Sequence, residues 1–128
     1  MNYLFVDDDI DDQEIFALAL KGLDLPANVI TASDGTEALE LVKRDESFVP
    51  DCIFLDLNMP RMGGKECLVE MRKLPWLKGV PIVIYSTSMQ QSDKIETQKL
   101  GATDFITKEG DIRRLKQSLS SMFKRHNI

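Results

Sequence analysis

The sequence predicts an alternating α/β chain, with five parallel strands in one sheet and helices on both faces. Three observations lead there. Short apolar runs recur five times, at Tyr3–Val6, Asn28–Thr31, Cys52–Leu55, Ile82–Tyr85 and Phe105–Thr107. They are rich in Val, Ile, Phe and Tyr and do not alternate with polar residues, which suits strands covered on both faces. A helical pattern follows each run, and strand–helix alternation favours a parallel sheet with right-handed crossovers. The length of 128 residues matches one domain on the usual prior of about 100–200 residues.

The elements follow in order. After Tyr3–Val6, the first helix is marked by Ile15, Ala19 and Leu23, which step by four. After Asn28–Thr31, Asp34 and Glu37 have the spacing of a capping box, and Ala38, Leu41 and Val42 make the face of the second helix. After Cys52–Leu55, the third helix shows Gly64, Cys67, Leu68 and Met71 on one side. After Ile82–Tyr85, the segment Gln90–Leu100 carries charges and glutamines, with Ile95 and Leu100 as its large apolar anchors and Gly101 as a stop. A helix there is expected to dock weakly, as a movable element must. After Phe105–Thr107, the last helix is marked by Ile112, Leu115, Leu119, Met122 and Phe123.

Composition narrows the function. The chain is 43% hydrophobic and 29% charged, as in ordinary soluble globules. No apolar run approaches the roughly 20 residues of a membrane span. The start, Met1-Asn2-Tyr3-Leu4-Phe5-Val6, has no basic residue and runs at once into acids. That is not an export signal, so a cytoplasmic location is expected. Cys52 and Cys67 lie in apolar stretches and are expected to be reduced and buried. With the single His126 they are too few for a structural zinc site. The net charge of −5 argues against nucleic acid as the main partner. Six acids crowd residues 7–14 (Asp7, Asp8, Asp9, Asp11, Asp12, Glu14). Most of the C-terminal bases fit the solvated face of the last helix, near the negative end of its dipole.

In parallel sheets, ligands bind beyond the carboxyl ends of the strands. At those ends stand Asp7, Asp8 and Asp9 after the first strand and Asp56 after the third. Ser86, Thr87 and Ser88 follow the fourth, and Lys108 the fifth. Each has a plain alternative as a helix cap, a turn former or a surface lysine. Together they are harder to explain that way. Two carboxylates about 4 Å apart repel by about 4 kcal/mol at an effective dielectric near 20. A hard cation relieves this, and magnesium takes oxygen ligands at about 2.0–2.1 Å. Asp7, Asp8 and Asp56 offer carboxylates, and the backbone near Asn58 offers a carbonyl. Lys108 offsets residual negative charge, and Ser86 supplies a hydroxyl donor. The set fits phosphoryl transfer to a carboxylate.

From Tyr3 to about Phe123 the chain resembles the receiver domain of two-component response regulators, of the stand-alone, chemotaxis-receiver-like type. The motifs are Leu4-Phe5-Val6-Asp7-Asp8-Asp9, Leu55-Asp56-Leu57-Asn58-Met59-Pro60 followed by Gly63-Gly64, Pro81-Ile82-Val83-Ile84-Tyr85-Ser86, and Gly101-Ala102-Thr103-Asp104-Phe105-Ile106-Thr107-Lys108. The resemblance implies a flavodoxin-like (βα)5 three-layer sandwich with strand order 2-1-3-4-5. It implies that Asp56 is the phosphoacceptor, and that Asp7 and Asp8 with Asp56 hold Mg2+, helped by a backbone oxygen of Asn58. It also implies that Ser86 swings toward the phosphoryl group, that Lys108 pairs with it, and that Phe105 is the aromatic switch residue. The family usually has a cis proline after this lysine, whereas Glu109 stands here. A cis bond before a non-proline residue costs roughly 2.5–4 kcal/mol, so a trans Lys108–Glu109 bond is expected.

The expected function is a phosphorylation switch rather than an enzyme in the ordinary sense, one that assists its own phosphorylation and dephosphorylation. The expected donor is a histidine kinase or histidine phosphotransfer protein. The expected output is a protein target at the face around residues 90–110, with no nucleic acid or membrane involved. Residues 1–128 are expected to be one receiver domain without an output domain, as a monomer or weak homodimer. One alternative is a receiver-like interaction module that is not phosphorylated. Another is a small aspartate-nucleophile phosphatase of the haloacid-dehalogenase type. That chemistry wants a second Asp two residues after the nucleophile, where Asn58 stands.

Overall fold

Five strands form one parallel sheet: β1 (Asn2–Val6), β2 (Asn28–Ala32), β3 (Cys52–Leu55), β4 (Ile82–Ser86) and β5 (Asp104–Thr107). Their order is β2-β1-β3-β4-β5. Between and after them run α1 (Ile10–Gly22), α2 (Gly35–Arg44), α3 (Gly64–Arg72), α4 (Gln91–Lys99) and α5 (Ile112–His126), with a 3-10 turn at Pro75–Leu77. The computed structural model describes residues 1–24, 27–108 and 110–128. The expectation about the Lys108–Glu109 bond lies outside the described residues.

The continuous apolar runs are explained by the pleat, which sends successive side chains to opposite faces. Leu4, Val6, Ile53, Leu55, Ile82 and Ile84 pack toward α2 and α3, against Ala38, Val42, Cys67, Leu68 and Met71. Tyr3, Phe5, Phe54, Val83 and Tyr85 pack toward α1 and α5. That second layer is aromatic, with ring centroids 4.2 Å apart for Phe5–Phe16 and 4.6 Å for Phe16–Phe54.

Several local expectations shift. In α1 the buried residues are Phe16, Ala19 and Leu20, while Ile15 and Leu23 only flank them. In α2, Leu39 is buried and Leu41 lies at the edge. Asp34 caps α2 by accepting the Glu37 N–H at 2.9 Å, but the Glu37 carboxylate accepts from Ser33 rather than from Asp34 itself. In α4, Ile95 is 45% exposed and is not an anchor. The buried residue is Thr97, whose hydroxyl donates to the Asp93 carbonyl at 2.8 Å. Leu100 does pack against the core from the end of that helix.

The far end of α4 is tied down by Arg72. Its guanidinium donates to the carbonyls of Gly101 (2.9 Å), Leu77 (3.0 Å) and Val80 (2.9 Å). Burial makes this cation less comfortable than a free arginine, and three carbonyl dipoles compensate. Arg72→Met should therefore strand these carbonyls and lower stability by about 2–4 kcal/mol. Urea unfolding checks this, and an unchanged midpoint would contradict the assignment.

Candidate functional site

The site grows from strand register. β1 and β3 are in register through Val6 and Leu55, so the next residues, Asp7 and Asp56, leave the sheet side by side. Both continue the ladder by one step: the Asp7 N–H donates to the Ala32 carbonyl and the Asp56 N–H to the Val6 carbonyl, each at 3.0 Å. β1 is also where the strand order reverses, since β2 lies on one side of it and β3 on the other. Across β4, the Lys108 N–H donates to the Ser86 carbonyl at 2.7 Å, placing those two residues together on the same rim.

Three carboxylates converge. Asp7, Asp8 and Asp56 each bring one oxygen to within 4.8 Å of the others. Asp7 and Asp56 are buried, and Asp8 is exposed. Two buried carboxylates with a third beside them, open on one side, are the donor set that a hard divalent cation takes. The residues present therefore fit Mg2+. The exposed Asn58 sends its N–H toward Asp56 Oδ1 at 3.5 Å.

Lys108 Nζ is the counterweight. It lies 2.7 Å from Asp7 Oδ2, 2.9 Å from Asp12 Oδ2 and 3.6 Å from Asp56 Oδ2. The Tyr85 ring lies 5.3 Å from the ammonium. Burial alone would push this ammonium toward neutrality, but Asp7, Asp12 and Asp56 outweigh it and hold the lysine above its ordinary value. Burial pushes the Asp56 carboxyl up to about 6, with Lys108 opposing and Asp7 adding to the rise. Burial also raises Asp7, against the pull of Lys108 and the Asp9 N–H.

The loops are fixed locally. Asp9 caps α1 by accepting from the N–H groups of Asp11 and Asp12. Gln13 Nε2 donates to the Asp7 carbonyl at 2.8 Å. Gly64 lies against Asp56, and a Cβ added there would fall 2.2 Å from the Asp56 carbonyl oxygen. Only glycine lets α3 start at that point. Ser86 is buried, and its Oγ accepts the Ser88 N–H at 3.3 Å. The Ser88 hydroxyl donates to Asp93, which also pairs with Lys65 Nζ at 2.8 Å. Phe105 sits apart from the carboxylates, half-buried against the α2–α3 core layer, with Lys94 Nζ 5.7 Å from its ring centroid.

Of the sequence-predicted residues, Asp7, Asp8, Asp56 and Lys108 thus meet directly, Ser86 joins through β4, and Phe105 belongs to the neighbouring face. Three contributors were not singled out by sequence. Asp12 was one acid in a run of six. Gln13 carried no signal. Arg61, in the left-handed region at φ 64°, pairs with Asp34 at 2.6 Å, and nothing in its sequence context marks it.

A family model for the response regulator receiver domain matches residues 3–120. The chain is 30% identical over 115 residues to the chemotaxis protein CheY of Thermotoga maritima, covering 90% of this chain and 94% of that protein. Among solved structures, the phosphorylated cyanobacterial phytochrome response regulator RcpA superposes with a TM-score of 0.85 at 31% identity, covering 96% of this chain and 91% of that one. The Mn2+-bound response regulator Rcp1 gives a TM-score of 0.82 at 28% identity, covering 95% and 91%. The match to the sensor histidine kinase CheAY of Helicobacter pylori spans only 13% of that protein. Among the described residues, no helix is long and apolar enough to cross a membrane.

The raised Asp56 value has a definite sign for stability. The folded protein keeps this proton to a higher pH than the unfolded chain, so stability falls as pH rises from about 4 toward about 6. Without divalent cations, Asp56→Asn should be more stable than the parent above that window, by about 1–3 kcal/mol, and the gap should close below about pH 4. Urea unfolding across pH measures it. A gap that persists in acid would show that the substitution acts other than through the charge.

Proposed function

The chain belongs to the response regulator receiver domain family, and from that membership we propose that it is a phosphorylation switch with Asp56 as its phosphoacceptor. The supporting observation is the buried Asp56 carboxylate at the sheet's carboxyl rim, beside Asp7 and Asp8 and 3.6 Å from the Lys108 ammonium. At neutral pH Asp56 is mostly ionised and therefore nucleophilic.

In this reading an Asp56 oxygen attacks the phosphorus of a phosphohistidine on a kinase or phosphotransfer protein. The new O–P bond forms as the P–N bond breaks, and the donor imidazole leaves. Asp7, Asp8 and Asp56 would hold Mg2+, with a backbone oxygen from Asn58. Bound there, the ion supplies neutralisation for the charge on the transferring group. Lys108 balances the charge from the β5 side, and Ser86 turns its hydroxyl toward a phosphoryl oxygen, giving up its contact with the Ser88 N–H. The same groups assist hydrolysis of the acyl phosphate.

The output follows from what Ser86 and Ser88 touch. Ser88 is bound to Asp93 near the start of α4, and a groove of about 270 Å³ between α4 and β5 is lined by Lys94, Thr97 and Phe105. Withdrawal of Ser86 opens space for Phe105 and loosens the first turn of α4. The face at residues 90–110 then presents a different surface to a downstream protein. Such couplings are typically worth about 1–3 kcal/mol. Residues 1–128 act as one receiver unit in the cytoplasm, as a monomer or weak homodimer.

Incubation with acetyl phosphate tests this by intact mass. The expected result is a magnesium-dependent gain of one phosphoryl group, abolished in Asp56→Asn. A folded protein that gains none would overturn the reading in favour of an inert interaction module.

A further inference from the structure

We propose that Asp12 is a positioning residue for Lys108, a helix-borne counterion that draws the ammonium toward α1 and competes with the phosphoacceptor for it. This rests on the reading of Asp56 given above. An ammonium has three N–H donors. Asp7 and Asp12 take hydrogen bonds from Lys108 at 2.7 and 2.9 Å, and Asp56, at 3.6 Å, is left with longer-range attraction. The Lys108 side chain is only 9% exposed, so the contest takes place where charge pairs count for more than on open surface.

Asp12 differs from the other two partners. It stands outside the trio of Asp7, Asp8 and Asp56. It comes from the first turn of α1, held by the Asp9 cap that accepts its N–H at 3.3 Å. A preference for acids at helix starts does not account for its contact. Asp11 occupies the same turn and faces solvent, whereas Asp12 reaches Lys108. A phosphoryl group on Asp56 adds roughly 1.5–2 negative charges and pulls Lys108 away from Asp12. Asp12 therefore weakens the phosphoryl-bearing state and sets how readily Lys108 leans toward it.

Beryllofluoride, which mimics a phosphoryl group on a carboxylate, tests this when titrated with Mg2+ and followed by fluorine NMR. Asp12→Asn should tighten the adduct about three- to tenfold, and Asp12→Glu should behave as the parent. Simple relief of repulsion between Asp12 and the anion would also tighten binding, so the decisive comparison is in a Lys108→Ala background. There Asp12→Asn should tighten the adduct clearly less than in the parent background, because only the repulsion remains and there is no ammonium to contest. Equal tightening in both backgrounds, or none in either, overturns the inference while leaving the phosphoacceptor reading intact. Absence of any adduct in the parent protein overturns both. Nitrogen NMR of the Lys108 ammonium in the unliganded protein gives a second measurement. Its signal should move in Asp12→Asn and return in Asp12→Glu, and an unmoved signal overturns the inference.

Discussion

The Lys108 ammonium is the constraint on which the carboxylate rim depends. Asp7 is fully buried and Asp56 nearly so, and both leave adjacent strands at the same level. Unopposed, their repulsion would push them apart or keep them protonated. Lys108 reaches them from beyond β5 and draws on Asp12 from α1 as well. One ammonium thereby ties together residues from β1, α1, β3 and the end of β5. The fold supplies the rest of the precision, since backbone hydrogen bonds at Asp7, Asp56 and Lys108 carry the sheet ladder one residue beyond its strands.

Most of the architecture was legible because the inner strands β1, β3 and β4 are buried on both faces and each strand is followed by a helix. The rim residues were legible for a related reason, since a parallel sheet gathers its carboxyl ends on one side. The misses have physical causes. In α1 every residue from Ile15 to Leu20 is apolar, so a step of four could settle on the edge of the stripe rather than its centre at Phe16 and Leu20. In α4, Ile95 is apolar but solvent-facing while Thr97 is buried, its hydroxyl satisfied by the Asp93 carbonyl of the same helix, and hydrophobic spacing does not report such a residue. Asp12 was hidden among neighbours of identical type, and its partner lies 96 residues away.

Asp34 teaches a similar lesson. Read locally it is a helix cap, and it does accept the Glu37 N–H. It also takes the Arg61 guanidinium; the Glu37 N–H above all, and then that guanidinium, hold its carboxyl below the usual range against the cost of burial. The loop that follows Asp56 is thus anchored to the start of α2. Together with the contact at Gly64, this leaves the backbone around Asp56 little room to move. The side chain beside that carboxylate is Lys108, 3.6 Å away.

The two ends of α4 are held by different kinds of force. Its far end rests on Arg72, whose cation is surrounded by three carbonyls rather than by an opposite charge. Its near end rests on the Ser88 hydroxyl, which binds Asp93, and on Lys65, which bridges a largely covered Asp93 and a half-open Glu96. Dissolved salt screens exposed ion pairs and barely touches a buried ion–dipole cage. Rising ionic strength therefore weakens the Lys65–Glu96 part of the near end more than the Arg72 cage at the far end, so the salt content of the surroundings becomes an input to the same element that phosphorylation is proposed to move.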